Sequence, residues 1–137
     1  MPRLDYALLG DYVRAEGGIA HVISAGIDTV RAAQVPAGQN IGLLLRLAFT
    51  RSECGRPHRL EVLFQDIDGE RLAELNGTMT PEWREHLPAG WDTSVLMGVN
   101  MAIPLPRYGL YAFEILVNDT HMKTIQLRVV EPDPPPE

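Results

Sequence analysis

Residues 43–50 read Leu43-Leu44-Leu45-Arg46-Leu47-Ala48-Phe49-Thr50. Leu43, Leu45, Leu47 and Phe49 fall on one face of an extended chain and Arg46 and Thr50 on the other, the period of two that a half-buried strand requires. The alternation recurs downstream. Leu60, Val62 and Phe64 alternate with Arg59, Glu61 and Gln65, and the run closes on Asp66-Ile67-Asp68-Gly69, whose Asp and Gly suit a tight turn into residues 72–75. Tyr111, Phe113, Ile115 and Val117 share a face; residues 118–121 are polar; Ile125, Leu127 and Val129 then alternate with Thr124, Gln126 and Arg128. These are two hairpins, each with one wet side.

Weaker signals fill the gaps. Residues 19–30 are rich in β-branched side chains after Gly17-Gly18 and read as one strand, continuing past a kink at Gly26. Val95, Met97, Val99 and Met101 alternate and give another strand, expected to stop at Pro104 and Pro106. The opening segment fits a helical face through Tyr6, Leu9 and Val13 and a strand through Leu4, Tyr6 and Leu8; Gly10 and the aromatic content tilt it to strand. Residues 31–40 read as a loop. Residues 80–93, with Pro81, Pro88 and Gly90, read as a longer one holding a turn of helix at 82–86. The sequons at Asn76 and Asn118 read as plain turns.

The expected fold is therefore all-β: an antiparallel two-sheet sandwich of seven to eight strands, Greek-key or immunoglobulin-like, with an eight-stranded closed barrel as the alternative. The chain of 137 residues has room for one such core. Residues 1–131 are assigned to the single sandwich domain and 132–137, Pro-Asp-Pro-Pro-Pro-Glu, to a proline-rich disordered tail that cannot pair in a sheet.

The 12 basic and 18 acidic residues give a net charge of −6. Without a basic block, this balance argues against nucleic acid and anionic membranes as partners. No apolar run approaches the roughly 18 residues of a spanning helix, and no export signal opens the chain, so membrane insertion is not expected. A lone cysteine, Cys54, leaves no internal disulfide and points to a cytoplasmic location.

Residues 4–12 (Leu-Asp-Tyr-Ala-Leu-Leu-Gly-Asp-Tyr), Gly17-Gly18, and 23–28 (Ile-Ser-Ala-Gly-Ile-Asp) resemble the opening of an uncharacterised bacterial domain-of-unknown-function family. The segments Leu45-Arg46-Leu47, His58-Arg59-Leu60-Glu61-Val62 and 108–115 are similar to its later parts. The resemblance spans nearly the whole chain short of the tail. It implies a bacterial β-sandwich, and no activity or catalytic set. The Gly109-x-Tyr111-x-Phe113 pattern resembles the entry to a late strand of immunoglobulin-like domains, and fold likeness does not transfer function.

Candidate chemistry is sparse. Cys54 and His58 stand four apart, but a structural zinc site needs a second pair; His21, His86 and His121 stand alone. Arg51 and Arg56 flank Cys54, the one arrangement suited to lowering a thiol pKa. Asp66, Asp68 and Asp119 lie in hairpin turns, and their convergence at one end of the sandwich would make a calcium site. No metal or cofactor is otherwise called for, and no catalytic residue is assigned. Recognition has the better case. Trp83 and Trp91 flank Arg84, Glu85 and His86 in the long loop, and large amphipathic rings on a loop are good contact residues. The expected binding residues are Trp83, Arg84, His86 and Trp91. The expected function is a non-catalytic interaction module, its partner another protein or a second copy in a homo-oligomer, engaged through this loop or an edge strand. A small-ligand carrier or small enzyme with an end pocket at Trp83, His86 and Trp91 is the alternative.

Overall fold

The computed structural model describes residues 1–88 and 90–133. Ten strands form among them: β1 (Arg3–Gly10), β2 (Tyr12–Glu16), β3 (Ile19–Ile23), β4 (Thr29–Arg31), β5 (Ala37–Phe49), β6 (His58–Asp66), β7 (Arg71–Met79), β8 (Thr93–Leu105), β9 (Gly109–Val117) and β10 (Thr120–Val130). One sheet has the order β1-β5-β8, the other β4-β10-β9-β6-β7, and β2-β3 is a separate hairpin. Lettering β1, β5 and β8 as A, B and E, and β6, β7, β9 and β10 as C, C′, F and G, gives the sheet pairings of an immunoglobulin sandwich.

The core lies between the two sheets. Ile41, Leu43, Leu45, Leu47 and Phe49 of β5 are essentially inaccessible and face Leu60, Val62 and Phe64 of β6 and Tyr111, Phe113, Ile115 and Val117 of β9. Each such side chain, taken fully out of water, contributes roughly 1.5–3 kcal/mol. Phe64 stacks on Tyr111 with centroids 5.3 Å apart and tilts against Phe113 at 4.8 Å. The Tyr111 hydroxyl donates to the Arg107 carbonyl at 2.6 Å and accepts from the Arg107 N–H at 3.1 Å. This is a tyrosine corner at the start of the lettered F strand, the feature behind the Gly109-x-Tyr111-x-Phe113 pattern.

β5 is buried on its outer side too. Gly42, Leu44 and Ala48 are buried there, and the β2-β3 hairpin folds over this face of the sheet at Gly42 and Gly98. A Cβ at Gly42 would stand 2.6 Å from Val13 Cγ2, and one at Gly98 2.7 Å from Val13 Cγ1, so only glycine lets the hairpin lie this close. Asn100 of β8 clamps it: its Oδ1 accepts from the Val13 N–H at 2.9 Å and its Nδ2 donates to the Val13 carbonyl at 2.7 Å.

Several expectations need correction. Residues 19–30 make two strands in different sheets, since the chain crosses over at 24–28; Gly26 donates to the Leu9 carbonyl and Asp28 accepts from the Arg128 N–H. The loop at 31–40 shrinks to 32–36, between β4 and β5. β8 runs through Pro104 to Leu105, as an edge strand allows. The Asn76 sequon lies inside β7, not in a turn; Asn118 and Asp119 do turn the chain, both with positive φ. Residues 134–137 of the expected tail lie outside the described residues.

Gly42→Ala should cost roughly 1–3 kcal/mol through overpacking against Val13. Asn100→Ala should cost about 1–3 kcal/mol by leaving two backbone groups of Val13 unmatched, and speed Val13 amide exchange. Denaturant melts and hydrogen exchange test both; unchanged melts would show that the hairpin is not held this way.

Candidate functional site

The register of β5 with β8 sets Phe49 opposite Thr93, so the loop that follows β5 and the loop that precedes β8 meet at one end of the sandwich. A tight 3-10 turn at Arg51–Glu53 follows Phe49, and the Gly55 N–H donates to the Pro81 carbonyl at 2.8 Å, tying the two loops together. Residues 82–86 do not form the expected helical turn. Two tight turns replace it, the Leu87 N–H on the Arg84 carbonyl and the Trp91 N–H on the Pro88 carbonyl, because prolines at 81 and 88 leave too short a run to nucleate a helix. Arg3 holds the loop end through Asp92 at 3.2 Å.

Between these loops opens a cleft of about 560 Å³ lined by Thr50, Arg51, Trp83, Glu85, Leu87, Gly90, Trp91 and Asp92. The two tryptophans differ. Trp83 is half-buried, with the Arg51 guanidinium carbon 5.8 Å from its ring centroid, a cation-π contact. Trp91 is 61% exposed. Of the other expected binding residues, Arg84 and His86 are exposed on the same loop but do not line the cleft; their side chains belong to its surroundings. The end pocket that was to include His86 therefore forms without it. Arg51 and Asp92 were missed as lining residues, and Glu85, noted between the tryptophans, was not counted among the binding residues. The signal that would have found Arg51 is the register of β5 with β8, which no periodicity in the sequence reveals.

Charge is unevenly spread here. Arg51, Arg56 and Arg84 have no carboxylate within 4.0 Å among the described residues, while every arginine outside these two loops is ion-paired. Glu85 and Asp92 also line the cleft; Asp92 pairs with Arg3, while Glu82 and Glu85 on the same loop are, like these arginines, without a salt-bridge partner among the described residues. Unpaired charges of both signs therefore border the cleft.

Glu53 braces the Arg51 turn from below. It is 8% exposed and takes the Thr50 N–H at 2.8 Å and the Thr50 hydroxyl at 2.9 Å on Oε1, with the Met1 amine 2.6 Å from Oε2. Burial pushes this carboxyl up, but the bonds from the Met1 amine and Thr50 outweigh it and hold the group below its ordinary value.

The remaining candidates do not assemble. His58 is buried against Phe49; its Nε2 bonds the Glu53 carbonyl at 2.7 Å and its Nδ1 meets the Asn118 Nδ2 at 2.9 Å. The Asn118 Oδ1 accepts from the Arg59 N–H, which orients that amide as a donor to Nδ1 and makes Nε2 the protonated nitrogen. Neither nitrogen is left for Cys54, which packs half-buried against the core. Asp66 and Asp119 lie at opposite ends: β6 pairs Leu60 with Val117 and Asp66 with Tyr111, six residues or about 20 Å apart. Asp66 is capped by the N–H groups of Asp68 and Glu70 and by Arg107 at 2.5 Å, with Asp68 beside the same guanidinium, whereas Asp119 pairs with Arg59. The calcium reading fails because the register separates its ligands. Among the described residues, no three His, Cys, Asp or Glu side chains converge as a metal would need.

Eight strands in two sheets, with a tyrosine corner and a separate β2-β3 hairpin, define an immunoglobulin-like sandwich. The chain belongs to a family of unknown function, DUF6941, whose model matches residues 5–130. Comparison with curated proteins gives no match. Among solved structures, the chain is similar to the C-terminal domain of wzt, at 12% identity and a TM-score of 0.52, over 96% of this chain and 74% of that one. It is also similar to an immunoglobulin-like protein from Pseudomonas aeruginosa, at 16% identity and a TM-score of 0.43, over 94% and 96%. A glycosyl hydrolase family 2 member from Bacteroides cellulosilyticus DSM 14838 is similar at 16% identity and a TM-score of 0.44, over 70% of this chain and 13% of its own length. At these identities only the likeness to the wzt domain bears on the argument, and it concerns the fold alone. No helix among the described residues is long and apolar enough to cross a membrane.

Because the folded-state value of Glu53 lies below the unfolded one, its contribution to stability is complete above the unfolded value, near 4.5, and is lost as pH falls through the folded value. Melting temperature should therefore drop below about pH 5. In Glu53→Gln that acid limb should flatten, with lower stability at pH 7; a melting series at both ends of the range decides it.

Proposed function

We propose that this domain is a non-catalytic protein-recognition module that takes an extended segment of a partner protein in the cleft between the 50–57 and 80–92 loops. The observation that carries this is Trp91, a large amphipathic ring 61% exposed beside the Arg51-covered Trp83. Leaving an indole in water forgoes the burial energy that a core position would supply, and such rings are the side chains most often found at the centre of protein contacts. Its lining holds no histidine, cysteine or serine among the described residues, which weighs against the small-enzyme alternative. The lone Cys54, half-buried and unpaired, supports a reducing, cytoplasmic setting.

A second route has its own observation. β8 is a thirteen-residue edge strand, paired on one side with β5 alone, and none of its residues is charged. Edge strands of this length are ordinarily guarded by charges, as β7 is by Arg71 and Glu74. An edge without charges up to Pro104 suits addition of a partner's strand.

Affinity capture from the host should retain a partner on the native chain and lose it, at least about tenfold, on Trp91→Ala. Ala102→Lys, which puts a charge on the exposed face of β8, should leave that capture intact if the cleft is the site and abolish it if the edge is. Loss in neither variant would overturn both routes.

A further inference from the structure

We propose that the free edge of β8 pairs antiparallel with β8 of a second copy of this chain about a twofold axis beside Val99, an assignment that rests on the edge route above and names the strand that is added.

The backbone of β8 is open on one side. Its register with β5 runs unbroken from Thr93 to Leu105, and among the described residues no backbone N–H or carbonyl of this strand bonds anything else. Pro104 fixes which groups are free. It stands opposite Gly38, and a proline on an edge strand turns its nitrogen to the open side because it has no N–H to give its neighbour. Ser94, Leu96, Gly98, Asn100 and Ala102 share that parity and present N–H and carbonyl outward, while the odd-numbered residues bond β5.

The side chains match a copy of themselves. The odd-numbered residues face the core, and at the new junction they form the non-hydrogen-bonded pairs, in which side chains stand closest. About Val99 this row is a near-palindrome: Val95, Met97, Val99, Met101, Ile103. The twofold sets Val99 on its own equivalent, Met97 on Met101 and Val95 on Ile103, like on like. On the outer face the same register sets large against small, Leu96 against Ala102 and Asn100 against Gly98. A shift of two residues in either direction sets methionine against a β-branched residue instead. One of these shifts also brings Gly98 onto its equivalent, where the two covering hairpins would meet head-on.

The row is unfinished in the single chain. Val95, Met97, Val99 and Met101 are only half-buried, although their partners on β5, Leu47, Leu45, Leu43 and Ile41, are inaccessible. No residue of β8 is charged, so a twofold, which brings equivalent residues together, opposes no like charges. Thirteen residues run about 40 Å at a sheet depth of about 10 Å, so pairing buries on the order of 1,000 Å² in all, the lower limit of a specific interface. The sheet would then read β1-β5-β8-β8-β5-β1 across the axis.

Sedimentation of the full chain from about 1 μM to about 1 mM should show a rise to twice the monomer mass and no further, since a twofold closes on itself. Over the same range the amides of Leu96, Gly98, Asn100 and Ala102 should gain protection from hydrogen exchange, and those of the odd-numbered residues, already bonded, should change little. Ala102→Pro removes an outward donor and no bond to β5, so it should weaken association at least about tenfold while the monomer still folds. In a Cys54→Ser background, Val99→Cys should form an intermolecular disulfide on mild oxidation, because a non-hydrogen-bonded pair holds its Cα atoms about 4.5 Å apart. Met97→Cys alone should not, its two copies standing about 14 Å apart, yet it should cross-link when mixed with Met101→Cys. A chain that stays monomeric at the highest concentration, a dimer that survives Ala102→Pro, or Met97→Cys cross-linking alone as readily as Val99→Cys would each overturn the proposal. If the native chain stays monomeric while Ala102→Lys abolishes capture of a host partner, the edge takes a foreign strand, and the edge route stands without the second copy. If Ala102→Lys alters neither mass nor capture, both fall.

Discussion

The structure depends on β5 being closed off from water on both sides. Its inner side chains, from Ile41 to Phe49, form one wall of the core, and its outer side needs cover of its own because Leu44 and Ala48 are nearly as buried. A three-stranded sheet with one dry face would leave these side chains wet. The hairpin of β2 and β3 covers the stretch around Gly42 and the neighbouring Gly98, and it fits only because these glycines present no side chain where Val13 descends. The backbone clamp from Asn100 adds direction to this contact, since a flat apolar approach alone would not choose a register.

The same strand places the recognition end. β5 delivers its loop against the loop of β8 because the two strands pair along their full length. What the loops hold is a product of that register: Arg51 over Trp83, Asp92 fixed by Arg3, Glu53 beneath. The opposite end is built differently. There Asp66 is consumed by the turn it caps and by Arg107, so its charge is spent on local geometry. The cleft end, by contrast, keeps Arg51, Arg56 and Arg84 together with Glu82 and Glu85 outside any ion pair among the described residues.

Period two made the long strands legible, because β5, β6, β9 and β10 each set one face against the core and the other toward solvent or a modest cover. The sandwich and the late-strand entry at Tyr111 followed from them. The crossover at 24–28 was not legible, because Ile23, Ile27 and Val30 look like one β-branched run, and only tertiary pairing with β10 separates them. Pro104 misled for a related reason: its effect depends on whether the strand is central or at an edge, which is a property of the sheet. In the loops, composition pointed to Trp83 and Trp91 because bulky rings outside an alternating pattern stand out. His86 stood out equally and is not in the cleft, and Arg51 did not stand out and is, since which loop residues converge is set by strand register rather than by nearness in sequence.

The hairpin between β1 and β4 leaves and rejoins the sandwich at one place. Gly26 donates to the Leu9 carbonyl at 2.7 Å and Asp11 to the Ile23 carbonyl at 2.8 Å, so the segment is closed at its base by the backbone itself. Its tip, Gly17-Gly18, turns with positive φ in open solvent. With the base pinned, added length at the tip carries only a closure entropy of about 0.6 kcal/mol per doubling and does not move the sheets. The domain thus contains a permissive site for evolutionary elaboration: a graft at the tip would alter what the outer face of this sandwich displays while the cleft at its end keeps its form.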